Sequence, residues 1–226
     1  MASQPPIPPL LSPYLSSQPS HSLTLLTGTL GATVNWLVLR FLAAIASNAG
    51  LSDIEDTTEQ PDRGLSPKVI LMSWLRNPTV WQDGGRKLRI KTSAISVIAA
   101  SDAGLSPGPG PHGLADLEHT LSTSIAEFKA SCSNQNPIIL ILDGLDFLPA
   151  ATACSVTDLL AIVTRLREQV DATIITSNAD SALLHAQTSP LEISHAAFTL
   201  SLAHQARMVM SVRELETGGR RTLVVR

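Results

Sequence analysis

The chain has 226 residues, 15% of them Asp, Glu, Lys or Arg, and a formal net charge of -3. That length suits one α/β domain, and at this net charge bulk electrostatics do not announce a nucleic-acid binder. The charged fraction lies well under the roughly 25% usual for soluble domains, which favours a surface partly covered by partners over a weakly charged monomer. Its two cysteines, Cys132 and Cys154, sit in no metal-ligand spacing and make no disulfide framework. Its six histidines form no HxH or HExxH pattern, so no metal and no resident cofactor is expected. No Asp, Glu, Lys or Arg precedes Arg40. From Arg207 onward five arginines (Arg207, Arg213, Arg220, Arg221 and Arg226) face only Glu214 and Glu216, which predicts a local basic edge. The start of the chain lacks a basic segment followed by an apolar run, so no secretory signal is expected. The apolar stretch Leu23 to Ala46 is broken by Gly28, Gly31, Asn35 and Arg40, a poor membrane span. An intracellular, soluble protein is expected.

Residues 1–20 carry six prolines and predict an extended arm without helix or ladder potential, laid on a surface by Ile7, Leu10, Leu11, Tyr14 and Leu15. The domain proper is expected over 21–226. A first strand at Leu23–Thr27 runs into Gly28–Thr33, followed by a helix from about Asn35 to Asn48 in which Trp36 is expected to fill core volume. Residues 51–67 read as a polar loop, Val69–Met72 as a second strand, 78–89 as a short helix with Trp81, and Ile95–Ile98 as a third strand. The Pro/Gly run at 106–111 is a loop. Leu114, Leu117, Leu121, Ile125 and Phe128 mark one face of a helix over 113–130. Ile138–Leu142 is apolar at every position, the pattern of a parallel strand buried on both faces. Ser155, with Asp158 three residues on, can cap a helix whose apolar face runs from Val156 to Val170. Ala172–Thr176 is another buried strand, and a short helix near 180–186 and strands near 207–213 and 222–226 complete the pattern. Alternating strands and helices predict an α/β fold, a mostly parallel twisted sheet with helices on both faces.

In such a sheet ligands bind beyond the C-terminal strand ends. A working phosphate loop reads GxxxxGK followed by Ser or Thr: amides cradle phosphates, the lysine neutralises them and the hydroxyl holds magnesium. Here the loop runs from Gly28 through Gly31, with Thr33 at the second glycine, Val34 at the lysine and Asn35 at the hydroxyl position. Thr33 restricts the backbone, Val34 supplies no cation, and Asn35 is a weak metal ligand. The helix N-terminus still points amides at this spot. Asp143 ends a buried strand where an ATPase places its magnesium-coordinating acid, and Asp146 follows; the competing reading, favoured without a loop cation, is Asp-Gly turn chemistry. Ser177 and Asn178 end the next strand, either as polar sensors or as caps of the following helix.

Three separated stretches point one way: LTLLTGTLGATVNWL from Leu23 to Leu37, VILMSWLRNPTVW from Val69 to Trp81, and SVRELETGGR from Ser211 to Arg220. In this order, around a degenerate nucleotide-binding core, the chain resembles subunit six of the Elongator complex in a fungal-type form. The likeness covers nearly everything after the proline-rich arm. One departure is that Gly219-Arg220-Arg221 passes directly into Thr222–Val225, without the Asp-Val-Ser-Gly-like stretch of the family. The resemblance implies a single RecA-like domain without a functional Walker A loop, acting as a non-catalytic accessory subunit in a hetero-hexameric ring with subunits four and five. It implies that the ring binds transfer RNA, supports modification of the wobble uridine with the catalytic Elongator subunits, and works in the cytoplasm, with the nucleus as second compartment. ATP would bind, if at all, at ring interfaces; an ATPase with an unorthodox interfacial site is the alternative, and a scaffold without a nucleic-acid role the third. Loops 101–112 and 177–190, expected to line a ring opening, contain no Lys or Arg. The candidate RNA contacts are therefore Arg207, Arg213, Arg220 and Arg221.

Overall fold

The computed structural model of the chain describes residues 10–16, 19–48, 67–90, 95–99, 112–131, 136–151, 154–214 and 221–225. Its strands are β1 (Ser22–Gly28), β2 (Lys68–Ser73), β3 (Ile95–Ala99), β4 (Ile138–Asp143), β5 (Ala172–Asn178), β6 (Met208–Glu214) and β7 (Arg221–Val225). They form one seven-stranded sheet in the order β3-β2-β4-β5-β1-β6-β7. The first six strands run parallel, and β7 closes one edge antiparallel to β6. The helices are α1 (Ser12–Ser16), α2 (Asn35–Asn48), α3 (Pro78–Lys87), α4 (His112–Ser131), α5 (Phe147–Ala151), α6 (Val156–Glu168) and α7 (Pro190–Gln205), with one π-helical turn at Ala182–Ala186.

The run of apolar residues in each central strand follows from the helices on either side. Alternate residues point to opposite faces. Leu26, Leu71, Ile141 and Ile174 join the cluster under α1, α2 and α3. Leu25, Ile70, Leu140 and Ile175 join the cluster under α4, α5, α6 and α7. The predicted α4 stripe behaves as expected, with Leu117, Leu121 and Ile125 buried and Leu114 and Phe128 packed at its margin. Among the described residues no helix is long and apolar enough to cross a membrane.

Several expectations are corrected. Within the proline-rich arm, Ser12–Ser16 is helical, and Leu11 and Leu15 are only 4% and 1% exposed in the core beside α2. Pro13 sits in the first turn, where its fixed φ suits a helix and its missing N–H is not needed. Residues 1–9 of the arm lie outside the described residues. Helix α7, unseen in the sequence pattern, is the main omission. It starts at a capping box: Ser189 Oγ accepts from the Glu192 amide at 3.2 Å while Glu192 Oε2 accepts from the Ser189 amide at 2.9 Å, with Pro190 in the first turn. Ser155 occupies the N-cap position of α6 but makes no side-chain capping bond. Trp36 is half-buried against the core, with its indole N–H buried and unpartnered; the fully packed tryptophan is Trp81, 2% exposed.

Candidate functional site

The strand order brings the C-terminal ends of β1, β4 and β5 to one cleft, beside the loop that follows β2. The cleft is about 170 Å³ and is lined by the 28–34 loop, Leu75, Arg76, Gly144, Asp146 and Thr176–Asn178.

The loop after β1 is a tight turn whose polar groups find partners within the chain. Ala32 N–H donates to Thr29 O at 2.9 Å, and Gly31 takes φ +86°. Thr29 N–H donates to Val212 O of β6 at 3.3 Å, and Gly28 O accepts from Ala179 at 2.8 Å. Leu30 N–H donates to Asp180 Oδ1 at 2.7 Å. A second carboxylate closes in at Gly31, where an added Cβ would stand 2.7 Å from Glu214 Oε2. Three loop amides that a phosphate cradle would present to a ligand are thus engaged, one of them by a carboxylate. Thr33 is exposed, while Val34 is 7% exposed and packs into the α2 core. Asn35 opens α2 with its Oδ1 buried and unpartnered.

Asp143 is fully buried and does not perform turn chemistry. Its carboxylate accepts from Ser73 Oγ at 2.7 Å, Thr176 Oγ1 at 2.9 Å and Arg76 Nη1 at 2.9 Å. The adjacent Gly144 amide goes instead to Thr176 Oγ1, at 2.7 Å, and Gly144 supplies the positive φ of the turn, +76°. The pairing of Ser73 with Asp143 in the β2–β4 register places the three donors together. Arg76, Ser73 and Thr176 escaped the sequence reading. The available signal was a lone arginine just beyond an apolar strand in a chain with few charges. The Arg76 guanidinium is the counter-charge of the buried Asp143 carboxylate.

Behind Asp143 lies a second buried acid. Asp146 is 4% exposed; its Oδ2 accepts from the Asn178 amide at 3.0 Å and from Asn178 Nδ2 at 2.9 Å, while Oδ1 has no partner. Burial pushes its pKa up, opposed by the Asn178 bonds and by His195, whose Nδ1 stands 3.9 Å from Oδ2. His195 of α7 is 3% exposed and its Nε2 bonds Asn178 O at 3.0 Å. Ser177 Oγ pairs with Thr199 Oγ1 at 2.9 Å. The capping alternative for Ser177 and Asn178 therefore fails, because both side chains are held by Asp146 and α7 rather than by the amides of a following helix.

The cleft gathers Gly28, Gly31, Thr33 and Val34 with Ser177 and Asn178, and it reaches Asp143 through Arg76. The candidate RNA-contacting arginines lie elsewhere. Arg207 and Arg213 are exposed at and on β6, and Arg213 lines a separate groove of about 400 Å³ with Leu184, Leu200 and Val209. Arg220 and the side chain of Arg221 lie outside the described residues. No group of three or more potential metal ligands occurs among the described residues.

No protein-family model matches the sequence, and no curated protein does. Among solved structures the chain is similar to flagellar accessory protein FlaH from Methanocaldococcus jannaschii, with TM-score 0.57 and 16% identity over 96% of this chain and 82% of that one. It is also similar to a KaiC-like protein from Pyrococcus horikoshii OT3, with TM-score 0.55 and 15% identity over 92% of this chain and 79% of that one. Likeness at such identity concerns the fold: the chain is a single RecA-like α/β domain.

Proposed function

We propose that the chain is a non-catalytic accessory subunit of the Elongator complex. In this reading it joins subunits four and five in a hetero-hexameric RecA-like ring that binds transfer RNA and supports wobble-uridine modification by the catalytic subunits. The carrying observation is that groups a nucleotide would engage at this cleft are already engaged from within the chain. Asp180 holds the Leu30 amide, Arg76 holds Asp143, and Val34 lies in the core where the loop lysine belongs. A cleft of about 170 Å³ is also smaller than the roughly 300–1,000 Å³ of ordinary ligand pockets. Loss of the nucleotide-gripping groups alongside retention of the fold suits a subunit kept for its surfaces. The RecA-like fold supports a place in a ring of similar domains, and the stretches resembling the Elongator subunit fall on β1–α2, on β2–α3 and at the end of β6.

Native mass spectrometry of the chain mixed with Elongator subunits four and five tests the assembly, and a hetero-hexamer containing this chain is expected. Failure to enter such a ring, with all three proteins folded, overturns the assignment. Calorimetric titration of Mg–ATP into the isolated chain is expected to give no binding heat. Micromolar binding with hydrolysis would instead establish the ATPase reading.

A further inference from the structure

Helix α7 is tied to β5 by the Ser177–Thr199 and His195–Asn178 bonds, and between it and β6 runs the groove of about 400 Å³. That volume falls within the roughly 300–1,000 Å³ of ordinary ligand pockets. Its apolar lining comes from Leu25 and Val209 on the sheet, Leu200 and Ala203 on α7, and Leu184 on the π-helical turn. The threonine and serine hydroxyls of the lining are already paired: Thr27 Oγ1 with Ser211 Oγ at 2.8 Å, and Thr199 Oγ1 with Ser177 Oγ at 2.9 Å. The charged residue of the lining is Arg213, exposed and on the same face of β6 as Val209 and Ser211. Among the described residues no carboxylate is paired with it. The nearby acids are turned elsewhere: Glu214 lies on the opposite face of β6 with its carboxylate against Gly31, Asp180 holds the Leu30 amide, and Glu192 closes the α7 capping box. A second exposed arginine, Arg207, stands just before β6. An apolar floor beside uncompensated positive charge is complementary to an apolar group that carries an anion. No aromatic side chain lines the groove on which bases could stack, so nucleic acid fits it poorly. The apolar surface also continues past the groove. Ile193 and Leu200, about two turns apart on one face of α7, are 50% and 45% exposed. That continuation is more than a small ligand would cover and suits a polypeptide.

We propose that the groove between α7 and β6 docks a segment of a partner protein that carries large aliphatic side chains followed by an acidic one. The aliphatic groups pack on Leu184, Leu200 and Val209, and the carboxylate pairs with Arg213. The inference goes beyond the ring reading and stands apart from it, because entry into a ring with subunits four and five can fail while this docking persists.

The test uses the full chain, labelled with nitrogen-15, titrated with an acetylated and amidated peptide of three leucines followed by a glutamate. Counterparts ending in glutamine and in lysine, octanoate, and a single-stranded oligouridylate serve as comparisons. Amide signals of Leu184, Leu200 and Val209 are expected to move with the glutamate peptide at millimolar concentration. The glutamine peptide is expected to bind about threefold more weakly, the worth of one exposed charge pair. Leu200→Ser, a change at an exposed position, is expected to weaken the response by about tenfold through lost apolar contact. Arg213→Glu is expected to weaken binding of the glutamate peptide and to strengthen that of the lysine peptide, a reversal that a merely structural role for Arg213 would not give. Absence of movement with the glutamate peptide, an equal response to all three peptides, or a response unchanged by both substitutions overturns the docking site. Movement of the same amides by octanoate at lower concentration than the peptide would assign the groove to a small amphipathic acid instead. Movement by the oligouridylate that Arg213→Glu abolishes and Leu200→Ser leaves intact would assign it to RNA; either result overturns the proposal.

Discussion

Val34 shows how far a single position in the loop can be read. The loop pattern is local, so the missing lysine is visible in the sequence; the use the chain makes of the space is not. Val34 is buried in the α2 cluster, and a lysine there would have to leave the core or bring an ammonium into it. Val34→Lys is therefore expected to yield no ATP hydrolysis, because Arg76 still holds Asp143 and Asp180 still holds the Leu30 amide. It should also lower stability by at least about 1.5 kcal/mol, the burial free energy of a valine side chain. Phosphate release and urea unfolding measure both, and appreciable hydrolysis by the purified variant would show the loop to be competent. The Arg76–Asp143 pair was not legible in the same way. Its members lie 67 positions apart, and only the β2–β4 pairing brings them together.

At the scale of elements, α7 marks the limit of periodicity. Its buried residues His195, Ala196, Phe198, Thr199 and Leu202 include two polar side chains, while Leu191, Ile193 and Leu200 stand 44%, 50% and 45% exposed. Apolar residues on the outer face and polar ones on the inner face erase the stripe that made α4 readable. The start signal Ser189-Pro190-Leu191-Glu192 was present, and it acts as a charged cap. Hydrogen bonds from the Thr188 hydroxyl, then from the Ser189 and Thr188 amides, lower the Glu192 pKa to about 2 from an unperturbed 4.5. A depressed carboxylate pKa contributes stability above the unfolded value and loses it as pH falls through the folded one. The Glu192→Gln variant is thus expected to be less stable than the wild type at neutral pH. The gap should narrow below about 4.5 and close toward about 2. Ser189→Ala, which removes the partner in the box, should cost about 1 kcal/mol at pH 7. Denaturant midpoints across pH check both, and a pH-independent gap for Glu192→Gln would mean that the carboxylate charge contributes nothing.

For the whole molecule, the class of fold was legible and the order of strands was not. Strands apolar on both faces announce a parallel sheet under two layers of helix, but they are interchangeable as patterns, so nothing local places β4 between β2 and β5. That order fixes which loops share the cleft edge and where positive charge falls relative to them. The 177–190 segment, which begins in the last residues of β5, carries no Lys or Arg, and its Asp180 is already bonded to Leu30. The exposed cations Arg207 and Arg213 belong instead to β6 and its approach, beside an apolar groove. Non-specific RNA affinity comes mainly from cations seated on phosphates, so a surface with fewer such cations binds more weakly and with a shallower salt dependence. Among the described residues of this edge, two exposed arginines offset by the nearby Glu214 can neutralise few phosphates. The isolated chain is therefore expected to bind transfer RNA poorly, with strong binding appearing only when partner subunits contribute basic loops. Gel-shift titration at near-physiological salt reads this directly: weak, shallow salt-dependent binding by the chain alone, and a large gain on assembly. Sub-micromolar binding without partners would sink the expectation, and its loss in Arg220→Ala/Arg221→Ala would locate the RNA surface at the β6–β7 edge.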